Sequence, residues 1–219
     1  MNAGPDKALQ TLLCAWALFV WYAITLMVTW LPHFPKLAGN GMLMPVICTL
    51  EFIALVPFYR WYNRRFGDIP LGPLIPRQAG LFSLLLLLLI ASQSLYMQPE
   101  NWIIDRFSAG DNVTPILFFL SVVVLAPIYE EILFRGFLLQ GCLLWAPRQR
   151  VICSLLTSVV FAAVHTQYVH LQTFIALLLL SLLLCAARIV SGGLKLPVFL
   201  HMLNNLIAAA PMLWYVLTR

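Results

Sequence analysis

Seven runs of mostly apolar residues, each near the ~20 needed to cross a bilayer, occupy almost the whole chain. They run from about Leu9 to Leu31, Met42 to Tyr62, Ala79 to Met97, Val113 to Leu143, Val151 to Thr166, Leu171 to Ile189 and Pro197 to Leu217. The spacing predicts an all-α fold, a polytopic transmembrane helical bundle of about seven spans. Of the 219 residues, 62% are apolar and only 10% are charged, against ~25% charged in ordinary globular chains. A soluble globular domain is thereby excluded. No polar linker separates the runs into independent units, so the length suits one bundle. Residues 1–112 hold the first three spans and a mixed segment in which Trp102, Ile103 and Phe107 could line one face of a short interfacial helix. Residues 113–219 hold the other four spans. The fourth run is long for a span, and is expected to tilt or to extend into the aqueous side.

The net charge of +5 would suggest a nucleic acid as partner in a soluble protein. Here the basic residues sit in short loops between apolar runs, where they report orientation instead. With the N-terminus inside, Lys7, Arg60, Arg64, Arg65, Arg77, Arg148, Arg150, Arg188 and Lys195 fall on the cytoplasmic side. Only Lys36, Arg106 and Arg219 fall outside. The asymmetry predicts an N-in, C-out topology. Cys14, Cys48, Cys142, Cys153 and Cys185 all lie in or beside apolar runs. Their count is odd and no C-x-x-C pair occurs, so they read as helix-packing residues and not as a disulfide or zinc framework. The first run has no evident small-residue cleavage site, and reads as a retained span.

One run contains charge. Pro127-Ile128-Tyr129-Glu130-Glu131-Ile132-Leu133-Phe134-Arg135-Gly136 places two carboxylates and a guanidinium at bilayer depth. Each such group costs at least ~2.5 kcal/mol on insertion scales, and groups of this kind are functional candidates by default. Glu130 and Glu131 point about 100° apart on a helix, so they are suited to different tasks. Glu131 and Arg135 are i, i+4 with the acid first, the favourable order for a pair on one face. Arg135 then neutralises and orients Glu131, and Glu130 is left as a general base. A salt bridge that only locks two helices is the plainer alternative.

Polar partners recur on later runs. Phe161 and His165 are i, i+4 on the fifth; His201 and Asn205 are i, i+4 on the seventh. Each pair shares a face, and bundles build sites from side chains on facing helices. The set permits two chemistries. In one, Glu130 and His165 activate a water while His201 and Asn205 donate hydrogen bonds to the oxyanion of a cleaved amide. In the other, Glu130, His165 and His201 bind zinc, which acidifies a bound water. The H-E-x-x-H pattern is absent, and spacing alone leaves both open.

Taken together, Glu130-Glu131-x-x-x-Arg135, Phe161-x-x-x-His165 and His201-x-x-x-Asn205 resemble the three-motif signature of the CPBP family, the CAAX-processing and bacteriocin-processing intramembrane endopeptidases also called Abi proteins. The resemblance covers about Val113 to Leu217; the first three spans match only as apolar helices. It implies an intramembrane protease that cuts a membrane-associated protein or peptide. Glu130 and His165 would act on the water, His201 and Asn205 on the oxyanion, and Glu131, Arg135 and Phe161 would support them, with no metal or other cofactor required. It also implies a multi-pass protein of the cell membrane, the inner or plasma membrane in a prokaryote, with the lipid bilayer as its surroundings and no nucleic acid partner. A non-catalytic immunity or secretion scaffold and a zinc-dependent protease are the rival readings. Substrate and oligomeric state are not legible.

The topology sets a geometric demand. At ~1.5 Å per residue, His165 lies some 20 Å from the inner end of its helix, whereas His201 lies within ~10 Å of the inner end of the seventh. For the two to meet, the turn from Ser191 to Pro197 must be recessed or the seventh helix tilted. Among other residues, Glu51 reads as an acid that either lines the cavity or pairs with a helix hydroxyl or amide, in a structural or gating role more than a catalytic one. Gln93, Ser154, Thr157 and Ser158 fit interhelical hydrogen bonds. Asn204 neighbours Asn205 but has the wrong spacing from His201 to share its face. His33 reads as solvated and His170 as interfacial. Trp30 and Trp102 read as belt residues, Trp16 and Trp21 as packing.

Overall fold

The computed structural model describes residues 6–98 and 113–218, and among these every regular element is helical. The elements are α1 (Lys7–Thr29), α2 (Phe34–Gly39), α3 (Leu43–Phe66), α4 (Pro76–Gln93), α5 (Val113–Trp145), α6 (Arg150–Ala163), α7 (Leu171–Ser191) and α8 (Lys195–Leu217). Seven of them match the seven apolar runs; α2 is an additional short helix in the loop that holds His33. The expected interfacial helix around Trp102, Ile103 and Phe107 lies outside the described residues. Among the described residues five helices (α1, α3, α4, α5 and α7) are long and apolar enough to cross a bilayer, and α6 is apolar but only 14 residues long. Several such helices in one chain make a multi-pass membrane protein.

Local signals set the ends. The Asp6 carboxylate accepts hydrogen bonds from the N–H groups of Ala8 and Leu9, which caps α1. Gly67 and Gly192 close α3 and α7 in left-handed conformation, with φ of +72° and +66°, as helix C-termini favour. Pro76 and Pro197 fall in the first turns of α4 and α8, where a missing N–H costs nothing. On α4, Phe82 and Leu86 face inward onto Leu180, Leu184 and Leu200. Leu81, Leu84, Leu85, Leu87 and Leu88 face outward, the arrangement expected of a lipid-exposed helix.

α5 is the centre of the bundle. Tyr129, Ile132, Leu133, Phe134 and Phe137 are buried against Cys14 and Ala17 of α1, Cys48, Leu55, Tyr59 and Tyr62 of α3, and Phe161 of α6. Cys14, Cys48, Cys153 and Cys185 are buried and Cys142 partly so, and all five are free. α5 is not a uniform α-helix. Ser121–Leu125 and Glu131–Leu138 are π-helical, and flank a short α-helical piece, Ala126–Glu130. The N–H of Ala126 reaches the Ser121 carbonyl and that of Leu139 reaches Phe134, both one residue further back than in an α-helix. Such widened turns are frequent at functional sites.

The turn between α7 and α8 is buried, with Leu194 fully covered. Its backbone is tied to the segment after α3: Leu194 N–H donates to the Pro70 carbonyl at 3.1 Å and Lys195 N–H to Leu71 at 2.9 Å. Gly72 (φ +66°) and Gly193 meet there backbone to backbone, so a Cβ on Gly193 would collide with Gly72 Cα and the Leu71 carbonyl. Gly193→Ala is therefore expected to lower stability by about 1–3 kcal/mol, read by thermal unfolding in detergent. Gly80→Ala on α4, where a Cβ meets open space, is expected to leave the transition unchanged or raise it slightly.

Candidate active site

The charged segment of α5 divides as its spacing predicts. Glu131 and Arg135 are both fully buried, and Arg135 Nη1 donates to Glu131 Oε1 at 2.8 Å. The guanidinium is further held by α7: Nη2 donates to Ser181 Oγ at 2.8 Å and to the Ser181 carbonyl at 3.3 Å. Its carbon lies 4.6 Å from the centre of the Phe161 ring, a cation–π distance. Phe161 thus links the site's parts. Its ring meets Phe134 edge-on at 5.0 Å, His165 at 4.5 Å and His201 edge-on at 6.0 Å. The sequence indicated only that Phe161 shares a face with His165.

Each histidine has one ring nitrogen committed. His165 Nδ1 lies 2.6 Å from the Phe161 carbonyl. A carbonyl only accepts, so Nδ1 carries the proton and Nε2 keeps its lone pair in the neutral ring. His201 Nδ1 lies 2.7 Å from Glu131 Oε1. This contact was not anticipated from the sequence: Glu131 supports His201 as well as Arg135. His201 Nε2 is 3.8 Å from Glu130 Oε2, beyond hydrogen-bond length. Glu130 keeps 16% of its side-chain surface exposed, while Glu131 has none. The two adjacent carboxylates therefore differ as their directions suggested, one structural and one facing open space.

That space is a cavity of about 190 Å³. Glu130, His165, His201 and Asn205 all line it, with Phe161. Gln167, Tyr168 and Asn204 add polar groups, and Met44, Phe118, Val122, Ala126, Leu177 and Leu180 give apolar walls. Asn205 Nδ2 donates to the Val122 carbonyl at 2.9 Å, and Asn204 Nδ2 donates to Asn205 Oδ1 at 3.1 Å. The placement of Asn204 corrects the sequence reading. Three residues rotate a side chain by about 300°, only about 60° short of a full turn, so Asn204 remains close enough to the His201 face to reach the cavity.

Other expectations divide. Of the two placements expected for Glu51 the structure has the hydroxyl pairing: it is buried and accepts from Thr25 Oγ1 at 2.8 Å, and it does not line the cavity. Ser158 reaches Cys185 across α6 and α7 at 3.9 Å, whereas the buried Thr157 hydroxyl has no hydrogen-bond partner among the described residues. Trp21 packs edge-on against Phe134; Trp16, expected to pack, is half exposed and touches Phe19 on its own helix. Ser181 escaped notice because an isolated polar residue in an apolar helix carries no spacing signal, and Gln167 and Tyr168 because they lie in the turn between α6 and α7. As for a metal, no group of three or more His, Cys, Asp or Glu side chains among the described residues could hold an ion. His165 and His201 commit only Nδ1 to protein acceptors, an arrangement that metal-ligating histidines share, so zinc stays the rival chemistry of the same residues.

Residues 112–207 match the model of a protein family described as type II CAAX prenyl endopeptidase, Rce1-like. The interval contains every residue of the three motifs. The chain is also similar to a curated Escherichia coli protein named only as an uncharacterized 24.3 kDa protein, 37% identical over 116 residues. The match covers 52% of each chain, so this chain spans about half the length of that relative. No solved structure matches.

Proposed function

We propose that this chain, whose residues 112–207 match the Rce1-like CAAX endopeptidase model, is a membrane endopeptidase of the CPBP type that hydrolyses a peptide bond of a membrane-associated protein or peptide by carboxylate catalysis. The observation that carries the reading is the convergence of Glu130, His165, His201 and Asn205 on one cavity with apolar walls. Glu130 and His165 Nε2 take up the proton of a water that attacks the scissile carbonyl carbon. The new C–O bond makes a tetrahedral oxyanion. His201 Nε2–H and the second Nδ2–H of Asn205 donate to that oxygen. Collapse breaks the C–N bond, and the proton taken from the water passes to the leaving amine.

Two features support these assignments. A donor at His201 Nε2 requires protons on both ring nitrogens, because Nδ1 already faces the Glu131 carboxylate. That doubly protonated ring would sit against the Glu131 carboxylate, which also accepts from Arg135. The 3.8 Å gap between His201 Nε2 and Glu130 leaves Nε2 free to meet a substrate oxygen. The reaction as written uses no cofactor.

The reading extends to placement. Seven spans with the N-terminus in the cytoplasm would agree with the distribution of lysine and arginine, and the protein would reside in the cell membrane. Residues 113–219 would form the catalytic core, on which the helices of residues 1–112 pack. The test is cleavage of a library of quenched, membrane-bordering peptides by the detergent-purified chain. Turnover by the wild type and its loss in His165→Ala are expected. Turnover that His165→Ala leaves unchanged would overturn the assignment.

A further inference from the structure

The Asn205 side chain is held by two groups that the three motifs do not include. One is the carbonyl of Val122, in the first π-helical turn of α5. In an α-helix that carbonyl would accept from the N–H of residue 126, and in a π-helix from that of residue 127. Neither is available. The Ala126 N–H goes to Ser121, and residue 127 is proline, which has no N–H. An unsatisfied carbonyl at this depth is costly. The Asn205 amide, donating at 2.9 Å from α8, supplies the missing partner. The second group is Asn204, whose Nδ2 donates to Asn205 Oδ1 at 3.1 Å.

The two contacts agree on one orientation. A carbonyl accepts only, so it fixes Nδ2 of Asn205 on the Val122 side and Oδ1 on the other. There the amide of Asn204 meets Oδ1 with a donor. One Nδ2 hydrogen is then committed to Val122 and the second is available at the cavity wall. Reversing the amide would place two oxygens together at Val122 and two donors together at Asn204.

We propose that Pro127 and Asn204 are positioning residues that hold the Asn205 carboxamide with one N–H presented to the cavity: Pro127 by withholding the N–H that would otherwise occupy the Val122 carbonyl, Asn204 by donating to Oδ1. The catalytic part of this inference rests on the role proposed above for Asn205; the clamp itself does not. Pro127→Ala supplies a backbone N–H in π register with Val122. It is a mild change, since alanine suits a helix interior better than proline. Asn204→Ala removes the other contact without altering the backbone.

Two measurements separate the clamp from the activity. The first is hydrogen exchange of side-chain amide protons in the full chain labelled with ¹⁵N-asparagine in detergent micelles, with the Asn205 signal assigned by its loss in Asn205→Ala. Exchange at Asn205 is expected to be slow in the wild type, and about tenfold or more faster in Pro127→Ala and in Asn204→Ala. Equal exchange in all three overturns the proposal, whether or not any peptide is cleaved. The second is cleavage of the quenched peptide library. Each variant is expected to lower kcat ten- to a hundredfold with KM unchanged, the pattern of a misplaced transition-state donor. Adding Asn205→Ala to Pro127→Ala is expected to cost little more than Asn205→Ala alone. Fully multiplicative losses would place the effect of Pro127 elsewhere and overturn the proposal. A wild-type chain with slow Asn205 exchange and no peptidase activity would instead contradict the proposed function and leave the clamp standing.

Discussion

Glu130→Gln is expected to lower peptide cleavage about a thousandfold, within the range for a positioned general base, while the chain still folds and inserts. The two halves of this expectation have different causes. Glu130 is the carboxylate with an exposed edge and without a short ion pair: its contact with His201 is 3.8 Å long. An amide of the same shape fits the space without abandoning a buried cation, so the bundle loses little. What disappears is the ability to take a proton from water. Cleavage rates for wild type and variant, with thermal unfolding of both in the same detergent, check the two halves. A variant that loses activity only in proportion to its folded fraction would assign Glu130 to structure, the plainer reading of the acidic pair.

The neighbouring acid is expected to behave in the opposite way, through its partner. Arg135→Leu leaves the Glu131 carboxylate buried with His201 alone, and leaves Ser181 Oγ without its guanidinium donor. Removing one member of a buried pair costs about 3–5 kcal/mol. That is a large share of the roughly 5–15 kcal/mol that stabilises a typical domain. The expected result is a sharp loss of folded protein in the membrane, read as extractable monodisperse yield and as a lowered unfolding temperature. Arg135→Lys is expected to recover only part of it. A lysine keeps the charge, but cannot bond Glu131 and Ser181 together while lying flat on Phe161. Full stability of Arg135→Leu would mean that Glu131 does not carry a charge that needs this partner.

Much of this arrangement was legible in the residues. The apolar runs gave seven of the helices, because length and hydropathy act through the bilayer and need no tertiary detail. The Glu131–Arg135 pair, and the separation of Glu130 from it, followed from rotation along one helix. His201 and Asn205 came together because they share one face of α8, whereas His165 lies just past the end of α6 and meets Phe161 through the hydrogen bond to its carbonyl. The parts that escaped depend on contacts between segments far apart in the chain. Glu131 reaches His201 on α8, and Ser181 reaches Arg135 from α7. Neither leaves a local pattern, since a serine in a leucine-rich helix looks the same whether or not it meets a cation. The tie between the segment after α3 and the turn before α8 was only partly foreseen. Helix lengths required a recessed turn or a tilted last helix, but nothing in Pro70, Leu71 or Gly72 named the partner. The π-helical turns were missed because the rotation argument assumed a uniform helix. Asn204 was misjudged on spacing, since i+3 lies almost as near the face of i as i+4 does.

The measurement that bears most directly on the central claim is cleavage of membrane-bordering peptides by the purified chain, with and without a strong zinc chelator and alongside Glu130→Gln. Carboxylate catalysis requires cleavage that survives chelation at an undiminished rate and is lost in Glu130→Gln. Cleavage abolished by the chelator and restored by added zinc would contradict it, and would recast Glu130, His165 and His201 as ligands.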